Sequence, residues 1–229
     1  MKSKIIVALD FSDSSAALAF VDQLTPGTCR LKVGKELFMV GGPNLVENLV
    51  ERGFSIFLDL KFHDIPNTVA KACINASKLG VWMINVHAMG GPEMLDAARE
   101  SIPKESGSPL LIAVTALTSL DQSNLLDIGF SDHLETIVLK LTQMAKRYNY
   151  DGVVCSAREA GVIRKKFGSD FLRITPGIRL PGDSLNEQKR VADPVNAIRE
   201  GASFLVIGRS ITQSSNPMEI IDKINSEIG

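Results

Sequence analysis

The chain of 229 residues reads as an α/β protein, a closed barrel of eight parallel strands alternating with helices. Three observations predict this. Short apolar runs rich in β-branched residues recur eight times, with helix-period segments between them. The runs are close to continuously apolar, the pattern of parallel strands whose outer face is covered by helices. Their spacing, about 29 residues per unit, suits a (β/α)8 or TIM barrel. The competing open, doubly wound sheet finds less support. The first run is followed by Asp10-Phe11-Ser12-Asp13-Ser14, not by a Gly-x-Gly-x-x-Gly turn. With no linker, low-complexity run or break in composition, one domain over residues 1–229 is expected.

In order, the expected strands cover residues 5–10, 30–34, 55–61, 82–87, 110–117, 152–156, 172–177 and 204–208. Among the helices, 133–149 carries Leu134, Ile137, Val138, Leu141, Ala145 and Tyr148 on one stripe. A last helix opens at Asn216-Pro217-Met218-Glu219 as N-cap, proline in the first turn and acid, and buries Ile220, Ile221, Ile224 and Ile228. Two connections, 118–132 and 179–190, are too long for tight turns. Both follow strands at the barrel end where ligand contacts and lids occur.

Bulk properties narrow the function. At 45% hydrophobic and 22% charged residues, the composition is that of a globular domain with a substantial core. A formal net charge of −1 argues against nucleic acid or a membrane surface as the main partner, while leaving room for a local basic pocket. No apolar run reaches the roughly 18 residues of a membrane span. Met1-Lys2-Ser3-Lys4-Ile5 enters a strand without a signal-peptide pattern, and Cys29, Cys73 and Cys155 are scattered in apolar contexts. Reduced core thiols, no metal site and a cytoplasmic location are therefore expected.

The chemistry concentrates at Asp59-Leu60-Lys61-Phe62-His63-Asp64-Ile65-Pro66-Asn67-Thr68, directly after Phe54-Ser55-Ile56-Phe57-Leu58. Strand alternation would point Asp59 and Lys61 the same way, with Asp64 just past the strand. Charges there are costly unless used or paired. Other strand ends add Asp10, Lys32, His87, Thr118, Ser119, Arg179 and Arg209. Each has a plainer reading. Asp10 and Asp64 could cap helices, Lys32 could be exposed, His87 could bond locally and Arg209 could solvate a loop. Arg158, Arg164 and Lys165 read as a solvated helix face. The convergence of charge and hydroxyl groups on one end of a barrel favours a site. Its phosphate-binding part would be Gly208 and Arg209 with Arg179, and Gln188 reaching over from the long loop.

The third-strand segment resembles the signature of the orotidine 5′-phosphate decarboxylase family, in its shorter bacterial form. Val7-Ala8-Leu9-Asp10, Leu31-Lys32-Val33-Gly34, Val86-His87-Ala88, Leu117-Thr118-Ser119, Thr175-Pro176-Gly177-Ile178-Arg179 and Val206-Ile207-Gly208-Arg209 follow the same family in order. The resemblance implies conversion of orotidine 5′-phosphate to UMP in pyrimidine biosynthesis by a homodimer without cofactor or metal. It implies that Lys61 protonates C6 within a Lys32-Asp59-Lys61-Asp64 array, and that Asp64 and Thr68 reach the partner's site. Asp10 and Lys32 would contact ribose, Asp59 the substrate's carboxylate region, and Thr118 and Ser119 the pyrimidine and ribose. Gln188, Arg209, Arg179 and the Gly208 backbone would hold phosphate. Two alternatives remain: a Mg²⁺-dependent sugar-phosphate decarboxylase or aldolase of the same superfamily, and a catalytically silent nucleotide-binding barrel. Lys32 argues against the first, since an acidic metal ligand would be expected there.

Overall fold

A computed structural model describes residues 3–180 and 192–229. Its eight strands are β1 (Ile5–Leu9), β2 (Arg30–Gly34), β3 (Ile56–Phe62), β4 (Met83–His87), β5 (Leu110–Val114), β6 (Gly152–Val154), β7 (Leu172–Thr175) and β8 (Phe204–Ile207). Every strand pairs in parallel with the next, and β8 returns to β1, so the sheet closes as predicted. The starts match expectation to within a residue. Several ends fall earlier, most clearly in β5, where pairing stops at Val114 instead of continuing to Leu117. Beyond Val114 the chain leaves the ladder, and Ala116 and Leu117 line the cavity described below.

Side-chain alternation divides the core in two. Ile5, Val7, Leu9, Leu31 and Val33 point outward and pack beneath the helices. Ile6, Ala8, Phe57, Met83, Ile112 and Ile174 point inward and fill the barrel axis. At the end where the strands begin, the Arg30 guanidinium lies 4.5 Å from the Trp82 ring centre and 4.8 Å from that of Phe204. The interior is a packed plug, not a pore through the barrel.

The helices are α1 (Ser14–Val21), α2 (Lys35–Glu51), α3 (Pro66–Ser77), α4 (Gly91–Ser101), α5 (Gln122–Asp127), α6 (Leu134–Arg147), α7 (Ala157–Phe167), α8 (Pro194–Arg199), α9 (Arg209–Thr212) and α10 (Pro217–Ile228). In α6, Ile137, Val138 and Ala145 are buried as the stripe predicts. The α10 cap is also as read, with Asn216 accepting from the Glu219 amide. The 118–132 connection is not purely loop. It contains α5, started by an Asp121–Asn124 capping box. Residues 181–190 of the other long connection, Gln188 among them, lie outside the described residues. No described helix is long and apolar enough to cross a membrane.

Candidate active site

A cavity of about 380 Å³ opens at the C-terminal end of the barrel. Asp10, Lys32, Asp59, Lys61, Thr118, Ser119, Arg179, Gly208 and Arg209 all line it, drawn from β1, β2, β3 and the segments after β5, β7 and β8. Apolar side chains from the barrel interior, including Ala8, Phe57 and Ile174, form its floor. Asp64 and Thr68 do not line this cavity and are exposed.

Two lysines and two aspartates form its polar centre. Asp59 stands between them, with Oδ1 2.6 Å from Lys61 Nζ and Oδ2 3.4 Å from Lys32 Nζ. Lys32 also reaches Asp10 Oδ1 at 3.3 Å. Lys32 and Asp59 are buried, whereas the Asp10 side chain is open to solvent. Burial alone would push the Asp59 carboxyl up. The ammonium groups of Lys32 and Lys61, with hydrogen bonds from Lys61 and Asn85, outweigh it and hold the group below the usual carboxylate range. Burial would likewise lower Lys32, but Asp59 and Asp10 reverse the sign and raise it. The pair is mutually stabilised in its charged form.

Local geometry departs from simple strand alternation. The β3–β4 register shifts between Leu58 and Phe62, and Lys61 has φ of 52° in the left-handed region. Asp59 and Lys61 still meet in the cavity, across this register shift in place of regular pleating. Asn85 on β4, fully buried, donates to Asp59 Oδ1 at 2.7 Å and accepts the Lys61 backbone N–H at 2.8 Å. The sequence gives no sign of it, because one asparagine in an apolar strand carries no charge signal. At Gly34 a Cβ would lie 3.2 Å from Lys32 Nζ, so glycine leaves room for that ammonium.

The plainer readings divide. Asp13, not Asp10, caps α1 by accepting from the Ala16 amide at 2.7 Å. Asp64 does not cap α3, whose N-cap is Ile65; its Oδ1 accepts the adjacent Ile65 amide at 2.6 Å. Arg158, Arg164 and Lys165 are exposed on α7, as expected. His87 faces His63, ring centres 5.3 Å apart. Burial, then His63, Lys61 and Lys35, depress His87 to about 4, against a smaller opposing pull from Asp59. Among the described residues, no group of three or more His, Cys, Asp or Glu side chains is placed to hold a metal ion.

Residues 3–224 match the family model described as orotidine 5′-phosphate decarboxylase / HUMPS family. The chain belongs to that family. A curated orotidine 5′-phosphate decarboxylase of Tolumonas auensis is 53% identical over 224 residues, covering 97% of each chain. That of Nitrosomonas eutropha is 55% identical over 226 residues, covering 99% of this chain and 97% of its own. The crystal structure of the Lactobacillus acidophilus orotidine 5′-phosphate decarboxylase superposes with a TM-score of 0.88 at 36% identity, covering 98% of both chains. The decarboxylase resemblance read from the strand-end motifs therefore holds for nearly the whole chain.

Proposed function

We propose that this decarboxylase-family barrel, one domain over residues 1–229, converts orotidine 5′-phosphate to UMP and carbon dioxide in pyrimidine biosynthesis. The observation that carries the reading is the Asp10–Lys32–Asp59–Lys61 network at the centre of a cavity also lined by Arg179 and Arg209. The names and high identity of the curated relatives support the same activity.

The chemistry follows from that arrangement. When the bond from C6 to the carboxylate breaks, its electron pair stays on the ring carbon. The site must counter that charge and supply a proton. Lys61 opens into the cavity and is held by Asp59, so it is assigned both tasks: its N–H bond breaks as the C6–H bond forms. Asp59 orients Lys61 and Lys32. Asp10 and Lys32 are assigned to ribose, Thr118 and Ser119 to pyrimidine and ribose. Arg179, Arg209, Gln188 and the Gly208 backbone are assigned to phosphate, whose binding energy helps to order the reacting end.

The enzyme is further proposed to act as a homodimer in which Asp64 and Thr68 complete the partner's site. Supporting this, both residues are exposed and stand outside the cavity of their own chain. Ile65 beside them is 67% exposed and Met39 on α2 81%, apolar surface that a second copy could cover. Co-expression of Asp64→Ala with Lys61→Ala tests it, because a mixed dimer would regain one intact site from two inactive parents. A cytoplasmic setting is supported by the absence of any disulfide among Cys29, Cys73 and Cys155.

The deciding experiment follows the ultraviolet absorbance of orotidine 5′-phosphate with protein in excess EDTA, beside Lys61→Ala. Turnover that ignores EDTA and collapses in the variant is expected. Binding of UMP without turnover in wild type would establish a silent binder. Activity on a sugar phosphate that required added Mg²⁺ would establish the metal-dependent alternative, against which the Lys32 ammonium stands.

A further inference from the structure

Lys61 sits where β3 loses its regular ladder. At a bulge one backbone group is left without its strand partner, and a buried N–H without an acceptor is destabilising. Here the Lys61 N–H is taken by the side chain of Asn85, at 2.8 Å, from the adjacent strand. The same amide turns its nitrogen to Asp59 Oδ1 at 2.7 Å. One side chain thus spans the backbone of the lysine and the carboxylate that holds the lysine's ammonium. Asp59 Oδ1 is filled by Asn85 and Lys61, which leaves Oδ2 turned to Lys32.

We propose that Asn85 is the positioning residue of the reaction, locking the left-handed Lys61 backbone and the Asp59 carboxylate in the geometry that aims the Lys61 ammonium. It is not catalytic, because it does not line the cavity where substrate would lie. Its full burial serves this purpose, since an amide removed from water bonds firmly to both partners and exchanges with neither. Aspartate in its place could still accept the Lys61 N–H but, when ionised, could not donate to Asp59. Leucine or alanine could do neither. The assignment rests on the reading of Lys61 as proton donor.

The test pairs Asn85→Ala with the near-isosteric Asn85→Asp, so that a folding defect in one does not end the experiment. Three quantities are read: kcat on orotidine 5′-phosphate, the dissociation constant for UMP, and the titration of the Asp59 carboxyl by ¹³C NMR. The expected result is a fall in kcat of about 10²-fold, the scale set by displacement of a reacting group. UMP affinity should change by less than about threefold, since Lys32, Thr118, Arg179 and Arg209 are untouched. In Asn85→Ala the Asp59 midpoint should rise as the amide's hydrogen bond is lost, with Lys32 and Lys61 still facing the carboxylate. Equal loss of kcat and UMP affinity would overturn positioning in favour of a general structural role. Unchanged kcat with an unmoved Asp59 midpoint would overturn it outright. If wild type failed to turn over substrate while the Asp59 midpoint still rose in the variant, the decarboxylase reading would fall and Asn85 would stand as the organiser of the charged pair.

Discussion

Lys61 Nζ lies 2.6 Å from Asp59 Oδ1, although Lys61 leaves the regular strand by adopting a positive φ of 52°. The short contact and the irregular backbone belong together. The register shift between Leu58 and Phe62 leaves Lys61 on the same side as Asp59, so the ammonium still reaches the carboxylate.

That backbone makes an unusual stability ranking. In an ordinary strand glycine is weaker than alanine by roughly 0.5–1 kcal/mol. At position 61 the left-handed conformation costs alanine, but not glycine, about 1 kcal/mol. Lys61→Gly should therefore unfold at a higher urea midpoint than Lys61→Ala, with both inactive. The opposite order would mean that position 61 is extended in solution.

Acid should weaken the protein through Asp59. Its folded carboxyl lies below the usual range, so its stabilising contribution is complete above the unfolded value of about 3.9. The contribution is lost as pH falls from there through the lower folded value. Lys32 has the reverse sign, keeping its contribution until pH rises above about 10.4. Asp59→Asn should cost about 3 kcal/mol at neutral pH, by leaving the buried Lys32 ammonium underpaired. Urea midpoints of both proteins, taken from neutral to strongly acid pH, should converge. Parallel curves would show that the carboxylate is not held ionised.

Arg173 on β7 is a structural clamp that does not line the cavity. Its Nε donates to the Gly201 carbonyl at 2.6 Å, and Nη1 reaches the carbonyls of Gly168 and Ser169 at 3.2 Å and that of Phe171. Arg173→Met removes the donor to four carbonyls and should cost about 3 kcal/mol. In melting temperature that is about 6–12 °C for a chain of this size. Lysine should rescue only in part, lacking the planar fork. Calorimetry decides, and turnover well below the transition should be unchanged.

Gly152 begins β6 opposite Leu172 of β7. An added Cβ would overlap the Leu172 carbonyl oxygen, which cannot move without opening the β6–β7 pair. Gly152→Ala should destabilise by about 1–3 kcal/mol despite the small change in volume. A melting temperature equal to wild type would show that the barrel wall yields at this seam.

The strand count, the parallel order and the end of the barrel that carries chemistry were legible in the chain because each rests on local pattern. Apolar runs of strand length need helices between them to close in parallel, and polar residues at run ends must face the open mouth. Asp10, Lys32, Asp59 and Lys61 could be named on that basis alone. Helix α5 was not legible, since a six-residue helix held by one capping box leaves almost no periodic signal.

What only the tertiary structure decided is how those residues meet. Asn85 lies 26 positions from Asp59, and no local pattern marks an uncharged amide that bonds both Asp59 and Lys61 once β4 is set beside β3. The left-handed turn at Lys61 likewise depends on the acceptor that Asn85 supplies across the strands. Asp64 reads as part of one charged array in the chain, yet the fold turns it away from its own cavity to the exposed rim. The physical reason is the same throughout. Composition and periodicity specify which face a residue takes, while barrel closure and strand register specify which distant groups share that face and at what distance.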